Sequence, residues 1–224
     1  MRFYNDQLFH IYNQGNNHRQ IFFTDEHYKY FLWKMKAYLL PFGDLISWCL
    51  MPNHFHWQFW VKNVEIERIV FRKHIDDIEF LRRQKKYGAK AVPSESSKKR
   101  TAPPQSTVNL NEAIAILQRT YTRALNKEKG WSGSLFRHEC KAKDGWINEF
   151  VTANSKNPLN SYKFQLGNDF AFQCMTYIHN NPRKANLVKL STDYCYSSAK
   201  DYAGLRKGTL CNLEMGRKII ENIV

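Results

Sequence analysis

Leu45-Ile46-Ser47-Trp48-Cys49-Leu50-Met51-Pro52-Asn53-His54-Phe55-His56-Trp57-Gln58-Phe59-Trp60-Val61 reads as two extended segments joined by the two-residue turn Pro52-Asn53, a β-hairpin. In the second arm Phe55, Trp57, Phe59 and Val61 alternate with His54, His56, Gln58 and Trp60, the period of a strand with one buried face. Side chains at i and i+2 leave a strand on the same side, so His54 and His56 share a face. Two imidazoles placed in this way form a ready pair of metal ligands, provided that other elements cover the aromatic face.

The flanking sequence supplies that cover. Leu8 to Tyr12 is a short apolar run followed by the turn-rich Asn13-Gln14-Gly15-Asn16-Asn17. Thr24-Asp25-Glu26 has the character of a helix start ahead of Tyr28, Phe31, Leu32, Met35 and Leu39, and Pro41-Phe42-Gly43-Asp44 ends that helix. From Asn109 helical spacing returns with Leu110, Ile114, Leu117 and Tyr121, and it stops near Gly130. Ser134 to Ala142 is expected to form a fourth strand. The order β-α-β-β-α-β is the split-βαβ, ferredoxin-like arrangement of the α+β class, an antiparallel sheet with two helices on one face. Phe55, Trp57 and Phe59 should then pack under the helices, with His54 and His56 on the open face.

The chain reads as a single domain, 1–224, with two interruptions. A basic insertion at about 76–108, which holds Arg82-Arg83-Gln84-Lys85-Lys86 and the run from Ser94 to Pro104, is expected to be mobile. A second insertion at about 143–168 precedes a helix from about Phe170 to Asn181, which Pro182 should end. A Ser- and Tyr-rich tail occupies 186–224, and there is no internal repeat.

Composition narrows the partners. Lys and Arg number 34 against 20 Asp and Glu, a net charge of +14, which predicts a polyanionic partner and salt-sensitive affinity. Nucleic acid comes first. A membrane surface ranks below it, because the basic residues are not gathered on one long amphipathic helix. With 43% hydrophobic and 15% aromatic residues the chain can bury a core and is not a disordered one. No window approaches the roughly 18 apolar residues of a membrane span, and Met1 to Asp6 lacks the apolar core of a signal peptide; a cytoplasmic location is expected. Cys49, Cys140, Cys174, Cys195 and Cys211 are scattered and form no C-x-x-C pair, so reduced thiols are expected.

The helix before Pro182 adds the chemistry. Gln173, Tyr177 and Asn181 follow one another at i, i+4 and i+8, while Phe170, Cys174 and Ile178 lie to another side. If that helix crosses the open sheet face, Tyr177 offers a phenolic nucleophile and Asn181 a carboxamide oxygen to complete a triad with the imidazoles. A phenolate can attack a phosphodiester, and a divalent ion on the His pair would polarise the scissile phosphate. Imidazoles alone suit Zn²⁺ or Mn²⁺ whereas Mg²⁺ prefers oxygens, so the ion is left open. Among the cations, Arg19, Arg119, Arg123, Arg137, Lys141, Arg183 and Lys184 are candidate phosphate contacts. Trp48, Trp60 and Trp131 are candidates for stacking on unpaired bases, with core packing as the competing role.

Five blocks together resemble the HUH single-tyrosine transposases, in particular the REP-associated tyrosine transposases of the IS200-like family. They are the run from Asn13 to Phe23, Cys49-Leu50-Met51-Pro52-Asn53-His54-Phe55-His56, Gly133-Ser134-Leu135-Phe136-Arg137, the run from Tyr177 to Ala185, and Asp193-Tyr194-Cys195-Tyr196-Ser197-Ser198-Ala199. The Met-Pro-Asn-His-x-His and Tyr-Ile-x-x-Asn-Pro runs are the specific ones. The resemblance implies His54 and His56 as the metal pair, Asn181 as third ligand, Tyr177 as nucleophile and Mg²⁺ or Mn²⁺ as cofactor. It further implies single-stranded or hairpin DNA as substrate, cleaved to a 5′-phosphotyrosine and a free 3′-hydroxyl, by a monomer or homodimer. Both insertions are longer than the family's usual links. Two other readings stand beside this one. A replication initiator or relaxase of the same chemistry is disfavoured by the lack of a helicase domain or a second nearby catalytic tyrosine. The last is a domesticated DNA-binding module that does not cut.

Overall fold

The computed structural model describes residues 1–88, 106–144 and 166–221. Strand β1 (Gln7–Gln14) leads through a short turn to helix α1 (Asp25–Leu39), then to the hairpin of β2 (Gly43–Met51) and β3 (His54–Val61). A short strand β4 (Glu65–Glu67) opens helix α2 (Arg68–Tyr87); β5 (Thr107–Asn109) then opens helix α3 (Leu110–Lys129). Strand β6 (Lys141–Asp144) and helix α4 (Leu166–Lys184) follow, with α5 (Ala199–Tyr202) and α6 (Leu213–Glu221) in the tail. The main sheet is antiparallel in the order β2-β3-β1-β6, the arrangement expected of a split βαβ.

Strand alternation decides which face is core. Phe9 and Ile11 of β1, Trp48 and Leu50 of β2, and Phe55, Trp57, Phe59 and Val61 of β3 are buried against Phe31, Met35 and Leu39 of α1 and Ile114, Leu117 and Tyr121 of α3. The Phe31 ring packs on both Phe55 and Trp57. α3 is capped at its start by the Asn109 side chain, which accepts from the Glu112 amide, and at its end by Gly130 in the left-handed conformation. Helix α4 covers the other face: Ala171 and Met175 pack on Leu8 and Ile46, and Cys174 and Ile178 on Cys49 and Met51. A bulge between Leu45 and Ser47 turns both Ile46 and Ser47 toward α4, where Ser47 Oγ donates to Gln58 Oε1 at 2.9 Å and Gln58 Nε2 to the Ala171 carbonyl at 2.8 Å.

Four expectations need correction. The basic insertion is not mobile throughout: residues up to Tyr87 belong to α2, whose Phe71 and Ile78 are buried and whose Glu79 pairs with Lys34 of α1 at 3.4 Å. The spacing of Phe71, Ile75 and Ile78 marks an amphipathic helix that the density of Lys and Arg obscures. Its flanks close on each other as β4 pairs antiparallel with β5; residues 89–105 lie outside the described part. The fourth strand proper begins only at Lys141: Leu135 and Phe136 are buried in the core, and ahead of β6 the pairing with the end of β1 is limited to an isolated bridge between Gly15 and Phe136. Pro182 does not stop α4 at Asn181; it sits in the last turn, where the absent N–H costs one bond, and the helix runs to Lys184. The helix also starts earlier than Phe170, at Leu166, inside the second insertion, most of which lies outside the described residues.

The tail closes the free edge of β2. Leu50 N donates to Tyr196 O at 2.9 Å and Ser198 N to Trp48 O at 3.0 Å, while the Tyr194 and Tyr202 hydroxyls donate to the Leu50 and Ile46 carbonyls. Arg206 fixes the tail on itself, bidentate to buried Asp201 at 2.6 and 2.8 Å. None of the described helices is long and apolar enough to cross a membrane.

Candidate active site

On the face turned away from α1 and α3, β1 presents His10, Tyr12 and Gln14 beside His54, His56 and Gln58 of β3. The register sets Tyr12 opposite His56 and Gln14 opposite His54. His54 and His56 meet with ring centroids 5.0 Å apart and planes nearly perpendicular. Each has its Nδ1 engaged. His54 Nδ1 lies 2.6 Å from the Asn53 side-chain oxygen, a pure acceptor, which places the His54 proton on Nδ1 and leaves the Nε2 lone pair for a cation. His56 Nδ1 lies 2.9 Å from His10 Nε2, both side chains being buried.

Burial holds these rings neutral. It pushes His54 down to about 4, and His10 to about 4 with help from the nearby Lys143 ammonium. His56 is pushed well below the usual range by burial and then by its two histidine neighbours. Neutral imidazoles present lone pairs near pH 7 without a proton to displace.

Tyr177 stands over this row. Its ring meets His56 edge-on at 5.4 Å and His10 at 5.8 Å, it is 41% exposed, and the Lys184 ammonium lies 5.4 Å from its ring centroid. Partial burial raises its phenol above the usual value, the Tyr12 phenol adds to this, and the Asn181 amide opposes it; the hydroxyl is protonated at neutral pH. Asn181 lies one turn on, its Nδ2 donating to the Tyr177 carbonyl at 2.9 Å, with no hydrogen bond to either His54 or His56. Among the described residues no group of three or more His, Cys, Asp or Glu converges on a point. A third protein ligand for a cation on His54 and His56 would have to be of another type, and the Asn181 carboxamide is an oxygen donor that α4 carries beside Tyr177. Two neutral imidazoles plus an oxygen donor fit a divalent cation.

What aims Tyr177 is the tail. His179, two residues on, reaches Ser198 Oγ at 2.8 Å, and the same oxygen accepts from Trp48 N at 2.9 Å. Buried Ser198 thus bolts α4 to β2.

The candidate cations separate into groups. Arg119, Arg123, Arg137 and Lys141 line one groove of about 1170 Å³ between α3 and residues 133–143. Arg19 lies apart, its guanidinium 5.1 Å from the Trp131 ring centroid. Lys184 is at Tyr177, and Arg183 is exposed in the last turn of α4. Of the tryptophans, Trp48 is core, Trp60 packs partly buried near α4, and Trp131 is 38% exposed.

Two residues escaped the sequence reading. His10 has no motif around it; its alternation with Phe9 and Ile11 places it on the open face, but only the strand register puts it against His56. Tyr12 likewise lies in no motif, and the register sets its ring centroid 5.6 Å from that of His56.

No family model matches the chain. No curated protein matches it either. Among solved structures, that of a REP-associated tyrosine transposase bound to a REP hairpin is similar at a TM-score of 0.46 with 12% identity, covering 95% of each chain.

Proposed function

We propose that this protein is a metal-dependent DNA transposase of the single-tyrosine kind, nicking and rejoining single-stranded DNA at hairpin or palindromic sequences. The observation that carries the reading is the edge-on seating of the Tyr177 ring against His56 and His10, with His54 adjoining. Nucleophile and imidazole pair then share one small volume, with the nucleophile half open to a polymer substrate.

Tyr177 attacks phosphorus through its phenolic oxygen, giving up its proton. The bond from phosphorus to the 3′ oxygen breaks and that oxygen leaves as a hydroxyl, so the 5′ phosphate stays on the tyrosine and its ester can be resealed by a second hydroxyl. His54, His56 and the Asn181 carboxamide would hold Mg²⁺ or Mn²⁺. A divalent ion held there would neutralise charge on the transferring phosphate and favour ionisation of the phenol. Asn53 and His10 fix the orientation of the two imidazoles, and Lys184 adds positive charge beside the attacking ring.

Incubating labelled single-stranded hairpins with Mn²⁺ tests this. A covalent adduct that survives denaturation, disappears with chelator and is absent in Tyr177→Phe is expected; binding to diverse hairpins without any adduct would make the protein a non-cutting module. Tyr12 favours one second reading, a two-tyrosine nickase of the initiator or relaxase type. An adduct that persists in Tyr177→Phe and vanishes only when Tyr12 is also changed to Phe would select it.

A further inference from the structure

The groove beside α3 carries five cationic side chains, Arg119, Arg123, Arg137, Lys141 and Lys143, against a single carboxylate, Glu139. Arg119 and Arg123 stand one turn apart on the exposed side of α3, and with Lys141 they make no ion pair among the described residues. The exposed charges of Arg119, Arg123 and Lys141, concentrated in one groove, raise the local potential for a polyanion. At about 1170 Å³ the groove exceeds the roughly 300–1,000 Å³ of small-molecule pockets, which suits a segment of polymer.

The groove does not end on the α3 side. Its lining includes Ile114 and Gln118 of α3, and also Tyr12 and Lys141. In the β1–β6 register Lys141 lies opposite Tyr12, and Tyr12 lies opposite His56, so these two side chains belong to the imidazole face. Cationic lining therefore continues around edge strand β6 from one face of the sheet to the other, and leads to Tyr177.

We infer that this groove is a second, non-reacting binding site for single-stranded DNA, gripping the strand through its phosphates as it bends round β6 toward the imidazoles. This deepens the strand-transfer reading and rests on it for the polymer's identity. Flexibility decides between single and double strands. Duplex DNA has a persistence length of about 150 base pairs and cannot turn round the edge of one strand, whereas a single strand follows such a path. Cations on both walls also suit one backbone lying between them.

The test is equilibrium binding of fluorescent oligothymidylates of about 6 and about 20 nucleotides, lengths either side of most single-strand sites. It uses the full chain carrying Tyr177→Phe, so that cleavage does not enter. Adding Arg119→Ala with Arg123→Ala should weaken the long oligomer by tenfold or more and the short one less than threefold. The slope of log affinity against log salt for the long oligomer should fall by about 1.4, at about 0.7 per lost phosphate contact on a single strand. Lys189→Ala with Lys207→Ala, exposed positions in the tail outside this groove, removes the same charge and should leave that slope unchanged. Equal losses in the two double variants, equal effects on both lengths, or, with a duplex of about 20 base pairs as a third probe, a loss confined to that duplex would each overturn the assignment. Failure of the adduct assay with intact length-dependent binding would instead remove the strand-transfer reading and leave the groove.

Discussion

Replacing His10 tests how the imidazole pair is built. His10 Nε2 and His56 Nδ1 are 2.9 Å apart, and the two side chains are 4% and 6% exposed. Both rings are neutral, so a single proton lies between them, and which nitrogen carries it follows from the surroundings. With that proton on His56 Nδ1, Nε2 of His56 is a lone pair facing the site; with it on His10, His56 Nε2 holds a proton and cannot ligate. His10→Ala removes the acceptor and frees His56 to rotate or change tautomer. Loss of such an outer partner typically costs about 10–100-fold in metal affinity, or roughly 1.4–2.8 kcal/mol at 1.4 kcal/mol per tenfold. A buried donor left unpaired costs a similar 1–3 kcal/mol or so in folding, about 2–12 °C in Tm for a chain of this size. Calorimetric titration with Mn²⁺ measures the first quantity and melting without metal the second. His10→Gln, whose side-chain oxygen can accept the same proton, should recover most of the affinity. If His10→Ala binds Mn²⁺ within twofold of the wild type, or if His10→Gln is as weak as His10→Ala, the orienting role is wrong.

Acid should unfold the protein early. His179 is held at about 4 by burial, with Asp201 opposing, and His10 and His54 also at about 4. These rings are neutral when folded and take up protons near 6.5 when unfolded, so stability is full above pH 6.5 and is lost as pH falls toward 4. His179 alone accounts for about 2 kcal/mol between pH 7 and pH 5; urea curves that superimpose at those two pH values would contradict the burial. Ser198→Ala takes away the oxygen that joins His179 to Trp48 N and should destabilise by about 1–3 kcal/mol, with amide exchange in α4 rising more than in α3. Equal protection in both helices would show that α4 is held by packing alone. At Gly15 an added Cβ would collide with the Arg19 carbonyl, so Gly15→Ala should cost roughly 1–3 kcal/mol in urea unfolding, and an unchanged midpoint would show that the turn yields freely.

Much of this molecule is legible in the chain because it depends on periodicity. Alternation from His54 to Val61 states a strand, its buried face and its imidazole face. Apolar spacing in α1 and α3 states which sides face that strand, and the order of elements then leaves a split βαβ. Charge hides what periodicity would otherwise show: the Lys and Arg density of residues 82–86 conceals the helix that Phe71, Ile75 and Ile78 mark. Local rules also misplace ends. Leu135 and Phe136 look like the start of a continuous strand yet supply one isolated bridge, Phe136 to Gly15, before the pairing resumes at Lys141, and Pro182 is tolerated because it falls in a last turn.

By itself, the sequence determined the hairpin, the shared face of His54 and His56, and the common side of Tyr177 and Asn181, since each follows from a repeat along one element. Only the tertiary structure decided that His10 and Tyr12 stand beside His56, that Ser198 holds the Tyr177 helix down, and that Arg119 and Lys141 line one groove. Those meetings depend on strand register and helix docking, set by the summed packing of the whole core and carried by no local pattern.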